Sequence, residues 1–427
     1  MADNAHLNDP KPDTVPLTNL KAGVAKVDIT PPISVPLGGY ADREGPATGI
    51  RDPLYAVAVV FDDGNNRAAL VSLDTLQVMQ QDGDAFRKAV KETTGISSDH
   101  IMFNTSHTHG SPWLYTDEAY NREVTAKVAG AVSMAADSLR PVSLGYGEGV
   151  IEFNINRRCI DADGKCHSGL NPDGICDHRV KVMRIDDGDC AEPMAVIMHA
   201  VCHANVFRGA NTEITADFPG AAKAFVERNF GGKTTAMFLQ GCSGDVRANL
   251  PSIGGWKSSI DDFGRSGSEI DMMWCGWSLG AEAVKVATKL RVRESVDKRE
   301  QHHTVAAAYN ILQVTADENK LDKALYKRDR IENGAIVFPV KAIRIGDIWF
   351  VGLPGEPMGE YALDIEKEMA GLGNVFVLGY TSGDVGYFPR AHMFTEGGYE
   401  ADGPYTTASE QEILEGVHRL VNGLTDK

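Results

Sequence analysis

The chain has 427 residues, 43% of them hydrophobic, with 42 Lys plus Arg against 59 Asp plus Glu, for a formal charge of -17. That length supports one large domain or two ordinary ones, and the apolar content supports a packed core. The acidic balance excludes a nucleic-acid groove, which needs a basic footprint, and disfavours adhesion to anionic lipid.

Residues 1–20 are polar and Pro-rich, and they read as a flexible tail without an apolar signal core. On that opening the expected location is cytoplasmic, or secreted or periplasmic if a signal has been removed. No apolar run reaches the length of a membrane span. The seven cysteines are odd in number and lack a C-x-x-C pair, so reduced thiols are expected. Cys159, Cys166 and Cys176 have the wrong spacing for a common structural zinc knuckle.

Along the chain, strand-like and helical patterns alternate. Tyr55–Phe61 and Ala68–Leu73 read as adjacent buried strands around the turn Asp62-Asp63-Gly64-Asn65. Ile101–Phe103 is a short buried strand that spills into Asn104-Thr-Ser-His-Thr-His-Gly-Ser-Pro112. Asp117–Leu139 carries Val124, Val128, Val132 and Ala135 on one helical face. Lys181–Ile185, Ala195–Met198, Thr235–Leu239, Ala335–Phe338, Ile348–Val351 and Val375–Leu378 are further strands. Helices are expected from Asp217, over Ala281–Leu290 and over Glu410–Leu424. The alternation predicts an α/β fold with mixed β-sheets flanked by helices. Residues 21–427 are expected to form a single catalytic domain. The polar stretch 249–273 reads equally as a lid or as a surface excursion. Ser243-Gly-Asp-Val246 echoes Ser382-Gly-Asp-Val385, which reads as the same turn chemistry used twice.

The chemistry concentrates at strand ends. His107 and His109 stand two residues apart, and in extended backbone they point the same way. One segment then supplies a metal ligand and a proton carrier. His203 follows the strand through Met198, Glu356 follows the strand through Val351, and Tyr387 lies beyond the strand through Leu378. Pro357 biases Glu356 toward extended backbone, and Gly355 allows a sharp turn before it. Asp217 fits a helix N-cap, with support of a metal ligand as the alternative. Asp245 and Asp384 orient ligand histidines or make Asx turns. Asp74, at a buried strand end, is a further candidate of this kind.

These segments resemble the catalytic domain of the neutral/alkaline non-lysosomal ceramidase family, a group of zinc amidases. The resemblance rests on Ala22-Gly-Val-Ala-Lys-Val-Asp-Ile-Thr-Pro-Pro32, Leu37-Gly-Gly-Tyr40, Ser106-His-Thr-His-Gly-Ser-Pro112 and Asn154-Ile-Asn-Arg157. It continues through Cys202-His203, Gly241-Cys-Ser-Gly-Asp-Val246, Leu353-Pro-Gly-Glu356, the Gly379–Tyr387 stretch and Tyr399-Glu400. It implies zinc held by His107, His203, Glu356 and Tyr387, with His109 beside the metal-activated water. It also implies Arg157 and Tyr399 on the substrate amide or its oxyanion. The expected activity is hydrolysis of an amide bond in an N-acyl compound, whether a small molecule or a lipid-like one. Hydrolysis of an ester, lactone or other small polar substrate at the same site, and zinc or ligand binding without turnover, are the alternatives.

Two departures bear on the substrate. The family's longer members carry Ser-Pro-Asn after Gly-Asp-Val, where this chain has Arg247-Ala248-Asn249. Arg247 reads as a contact to a substrate carboxylate or as a local ion pair. The chain also reads as a short form without the immunoglobulin-like carboxyl-terminal domain. The zinc chemistry does not depend on either feature, whereas the assignment of ceramide does. Neither the natural substrate nor the oligomeric state is legible in the sequence.

Overall fold

Alternation of side chains along the central strands organises the whole architecture. On Tyr55–Asp62, Ala56, Ala58 and Val60 face one apolar core, while Val57, Val59 and Phe61 face another. A strand buried on both faces must be sandwiched. The structure is a computed structural model. It describes residues 19–41, 43–188, 193–250, 266–290, 303–323, 331–381 and 383–425.

An eight-stranded sheet runs in the order Thr235–Gln240, Pro193–Ala200, Arg179–Asp187, Arg140–Val150, Lys21–Asp28, Tyr55–Asp62, Arg67–Leu73, Ile101–Thr105. Its outermost pairs are parallel, and the strands between them are antiparallel. A second sheet is built on Val305–Thr315, Ala335–Ile345, Ile348–Gly352 and Asn374–Leu378. The two sheets share a core of Val57, Val59, Met102, Ile197 and Leu239 with Ile343, Phe350 and Phe376. Helices Gln80–Thr94, Glu118–Asp137, Asp217–Asn229 and Glu269–Lys289 cover the outer face of the first sheet. Gly359–Glu368 and Ser409–Thr425 pack on the second sheet. The result is helix, sheet, sheet, helix, and the expectation of mixed sheets flanked by helices is met.

Local chemistry explains several boundaries. Asp117 caps Glu118–Asp137 by accepting from the amides of Ala119 and Tyr120. Ser268 and Asp271 form a reciprocal capping box at the start of Glu269–Lys289. That helix starts well before the expected Ala281 and absorbs Met272 and Met273, the end of the stretch 249–273 read equally as a lid or a surface excursion, together with Trp274 and Trp277 that follow it. Within that stretch 251–265 lie outside the described residues, as do residues 1–18 of the expected tail and Ser382. The described cysteines are free thiols, in keeping with the sequence reading. Among the described residues no helix is long and apolar enough to cross a membrane.

One buried amide network locks the strand ends that matter. Asn104 donates to the carbonyls of Gln240 and Gly379 at 3.1 and 2.7 Å. Gln240 returns a main-chain bond to the Asn104 side chain at 2.8 Å. Its own amide donates to Ser106 and Cys202 carbonyls at 3.2 and 2.7 Å. An isolated bridge joins Asn104 to Thr381 across the two sheets. A fully satisfied buried network of this kind specifies one arrangement and penalises any slip. It holds together the segments that carry His107, His203 and Tyr387.

Candidate metal centre

The strand Ile101–Thr105 ends two residues before His107, and the chain then turns sharply. His107 has φ 58°, the left-handed region that costs a β-carbon-bearing residue free energy. The backbone is therefore not extended between His107 and His109, contrary to the sequence reading. The kink, rather than strand alternation, brings both rings to the same place. Their Nε2 atoms lie 3.3 Å apart.

His203 is held by its amide, which donates to the Val246 carbonyl at 3.1 Å. Glu356 and Tyr387 are direct partners in a two-residue parallel bridge, and the Glu356 amide donates to Gly386. Gly355, at φ 59°, makes that turn. An added β-carbon there would sit 2.5 Å from the Gly386 oxygen. The sequence motif Pro-Gly-Glu-Pro thus acts as a backbone device that aims one carboxylate.

The four side chains converge. Glu356 Oε2 lies 3.0 Å from His203 Nε2 and 3.3 Å from His107 Nε2. The Tyr387 hydroxyl lies 3.5 Å from His203 Nε2. A tetrahedral site with bonds of about 2.0–2.1 Å has ligand-to-ligand edges of about 3.3–3.4 Å. The observed separations bracket that edge. His107, His109 and His203 also place ligand nitrogens within 4.8 Å of one another.

Proton bookkeeping sharpens the fit. His107 Nδ1 donates to the Leu76 carbonyl at 2.8 Å. His203 Nδ1 donates to the Ser243 carbonyl at 2.6 Å, with Val246 at 3.1 Å. Each ring spends its proton on the main chain and turns an Nε2 lone pair inward. Burial, followed by the Arg157 charge, pushes the His203 pKa down to about 4, so that ring is neutral. Burial pushes the Glu356 carboxyl up, and only positive charge beside it, from protons at the two Nε2 atoms or from a cation in their place, holds the group well below the usual range. Lone pairs on two imidazoles and a carboxylate thus face one point. A cation there satisfies all of them, so this donor set fits a divalent metal.

His109 stands at the edge of the cluster. Burial first, and then the neighbouring His107 and His203, depress its pKa well below the ordinary value. Its Nδ1 is buried and has no hydrogen-bond partner among the described residues. Gly39, at φ 93°, packs against this ring so closely that an added β-carbon would sit 2.3 Å from Nδ1. Arg43 clamps the two segments by donating to Gly38 and His109 carbonyls at 2.9 and 2.8 Å.

Arg157 and Tyr399 flank Tyr387. The Arg157 guanidinium carbon lies 5.4 Å from the Tyr387 ring centre, and the Tyr399 ring lies 5.2 Å from it. Arg157 is buried, whereas Tyr399 is 60% exposed. Burial and Glu356 hold the Tyr387 phenol well above its ordinary pKa. A dication at the cluster favours the deprotonated phenol instead. Arg247 is buried on Val246–Ala248, and its Nε donates to the Ala248 carbonyl at 3.3 Å.

The Nδ1 protons of His107 and His203 go to the main-chain carbonyls of Leu76 and Ser243, and the four candidate carboxylates have the following partners. Asp74 accepts from Lys223 at 2.6 and 2.5 Å and from the Tyr55 amide at 2.9 Å. Asp217 is not an N-cap. It has φ 54° as the first helical residue, accepts from the amides of Val206 and Phe218, and burial raises its pKa to about 7. Asp245 accepts from the Gly359 amide and the Asn156 side chain, both at 2.9 Å. Asp384 accepts from the Gly386 amide two residues on, the Asx turn offered as the alternative.

Sequence reasoning missed two neighbours. Tyr380 has φ 53°, its ring centre lies 4.2 Å from that of His107, and its hydroxyl pairs with Ser243 at 2.9 Å. Glu400 is buried and accepts from Arg157 and Arg158 at 2.8 and 2.7 Å. Tyr380 left no local signal, since an aromatic after Gly379 reads as core. Glu400 lay in a quoted motif, but only the fold brings it to Arg157.

Comparison with known proteins bears on what this arrangement does. The family model for the N-terminal part of neutral/alkaline non-lysosomal ceramidase matches residues 20–262. The neutral ceramidases of Drosophila melanogaster and Drosophila pseudoobscura pseudoobscura are each 26% identical over 278 residues, covering 59% of this chain and 38% of theirs. The chain therefore aligns with well under half the length of those relatives. The crystal structure of neutral ceramidase from Pseudomonas aeruginosa superposes with a TM-score of 0.76, over 95% of this chain and 74% of that one, at 17% identity. A ceramidase complexed with C2 superposes at 0.73, over 95% and 75%, at 18% identity. At these identities the two structures establish a shared fold.

Proposed function

The chain belongs to the neutral/alkaline non-lysosomal ceramidase family, and from that premise we propose that it is a zinc-dependent hydrolase cleaving the amide bond of an N-acyl, lipid-like compound. The observation that carries the reading is the convergence of His107, His203, Glu356 and Tyr387, with Glu356 Oε2 3.0 and 3.3 Å from the Nε2 atoms of His203 and His107 and the Tyr387 hydroxyl 3.5 Å from His203 Nε2. Nitrogen and oxygen donors in a compact set suit zinc. Strand ends from both sheets build the cluster, which supports residues 21–427 as one catalytic domain.

A bound zinc ion supplies Lewis acidity and brings the pKa of its water toward neutrality. The protein does the rest. His109, neutral because it is buried, takes a proton at Nε2 from the attacking water and returns it to the leaving nitrogen. Arg157 Nη2, buried and without a hydrogen-bond partner among the described residues, donates to the carbonyl oxygen as it gathers charge. The Tyr399 phenol, at the rim beside Tyr387, adds a second donor. Arg157 stays charged because Tyr387 and Glu400 outweigh the cost of its burial.

The test is a panel of fluorogenic N-acyl amides, esters and lactones, assayed alongside metal analysis, with His107→Ala as control. Turnover of amides that disappears with the metal and in the variant supports the reading. Turnover of esters or lactones alone replaces it with the ester or lactone alternative. One bound zinc and no turnover of any substrate leaves a ligand-binding protein.

A further inference from the structure

Successive residues on a strand point to opposite faces, so Arg157 and Arg158 should not reach one group. Here they do. The register between Asn154–Ile160 and Cys166–Asn171 slips between Asn156 and Arg158. Such an irregularity re-aims side chains and is found beside functional sites. Both guanidinium groups turn to the same buried carboxylate. Glu400 Oε1 accepts from Arg157 Nε at 2.8 Å, and Oε2 accepts from Arg158 Nη1 at 2.7 Å.

The two arginines are otherwise unlike. Arg158 Nη2 is tied down on the far side, donating to Glu396 and to the Gly397 carbonyl, both at 2.9 Å. Its amide donates to the Asn156 side chain at 2.8 Å. Arg157 leaves Nη2 buried and without a hydrogen-bond partner among the described residues, on the guanidinium beside Tyr387. Anchoring Nε fixes the plane of a rigid fork and so fixes where its Nη2 points.

We propose that Glu400 is the positioning residue for Arg157, with Arg158 as the outer anchor that keeps Glu400 from following its partner into the site. This rests on the hydrolase reading above, in which Arg157 meets the carbonyl oxygen. Arg158 balances the second oxygen of Glu400, so the carboxylate stays where it is when Arg157 engages substrate. Without Glu400 the long Arg157 side chain regains its rotamers and must be ordered afresh in each turnover.

The experiment is a double-mutant cycle on the full zinc-loaded chain, with Glu400→Gln, Arg157→Ala and the pair. For E400Q, kcat is expected to fall about 10- to 100-fold with KM changed far less. In the R157A background, E400Q is expected to cost nothing further, because its effect runs through Arg157. Glu400→Asp should recover part of the loss. Added methylguanidinium should restore R157A only when Glu400 is present. Effects of E400Q and R157A that simply multiply would mean a general structural role and overturn the inference, as would an E400Q variant with unchanged kcat. Binding of acetohydroxamate, followed by calorimetry, runs the same cycle without turnover. Weaker binding in E400Q that vanishes in the R157A background supports positioning, and equal loss in both backgrounds refutes it. A wild-type chain that binds the hydroxamate but hydrolyses nothing removes the hydrolase reading alone, and the binding cycle still decides Glu400.

Discussion

Gly39→Ala is the most discriminating single change for the role of His109. An alanine β-carbon would sit 2.3 Å from Nδ1, 2.7 Å from Cγ and 3.0 Å from Cε1 of that ring. Ordinary contact is about 3.5 Å, so the ring must retreat by about 1 Å. The backbone on either side gives little, because the His109 amide is bonded to Ala204 at 3.0 Å and its carbonyl to Arg43 at 2.8 Å. Retreat therefore comes from side-chain rotation, which breaks the 3.3 Å approach to His107 Nε2. A displacement of that size costs on the order of 100-fold in rate. Holding alanine at φ 93° adds about 1–2 kcal/mol of strain. None of the four proposed ligands is among the atoms nearest that β-carbon, which all belong to His109, so on the proposed assignment zinc stoichiometry should stay at the wild-type level. The assay is kcat on the best substrate of the panel, with zinc counted by mass spectrometry on the same sample. A variant with full zinc and kcat within about two-fold of wild type would falsify His109 as the proton carrier.

Three further outcomes are expected. Glu356→Gln removes the one carboxylate from the cluster and should weaken zinc affinity by at least about 100-fold in a competition titration, with chelator-treated wild type matching its loss of activity. An affinity within ten-fold of wild type would exclude Glu356 as a ligand. Lys223→Met strands a buried Asp74 and should destabilise the fold by about 3–5 kcal/mol in urea, with Asp74→Asn recovering much of that in the double variant. Recovery of none of it would show that the pair is not the reason for the loss. Asp217 has its folded pKa raised to about 7, so between about pH 4 and pH 7 the folded state holds a proton that the unfolded state has released. Its contribution is thus fully present below about pH 4 and is lost as pH rises through 7. The stability difference between wild type and Asp217→Asn should shift against wild type over that window by roughly 2–4 kcal/mol. A difference that is flat with pH in urea melts would refute the buried, protonated Asp217.

Long periodic segments were readable because the burial of one face leaves a pattern in the chain. Tyr55–Phe61, Asp117–Leu139 and Glu410–Leu424 correspond to observed elements within a few residues. Gln80–Thr94 escaped because its polar run Gln80-Gln81-Asp82-Gly83-Asp84 hides a face that buries only Phe86 and Val90 among large apolar residues. Glu269–Lys289 was misplaced because a capping box, rather than an apolar residue, starts it.

Residue types and their order along the chain already assign the fold class, the family likeness and the side chains able to bind a divalent ion, because motif chemistry and strand ends are local properties. Their meeting point is not local. His107 and Tyr387 are brought together across two sheets by a left-handed kink, a Gly355 turn and the Asn104–Gln240 network. Which atoms hold the histidine protons likewise follows from the carbonyls of Leu76 and Ser243, which no spacing rule announces. Long-range contacts of this kind depend on the packing of whole layers, and packing is settled only when the complete chain has folded.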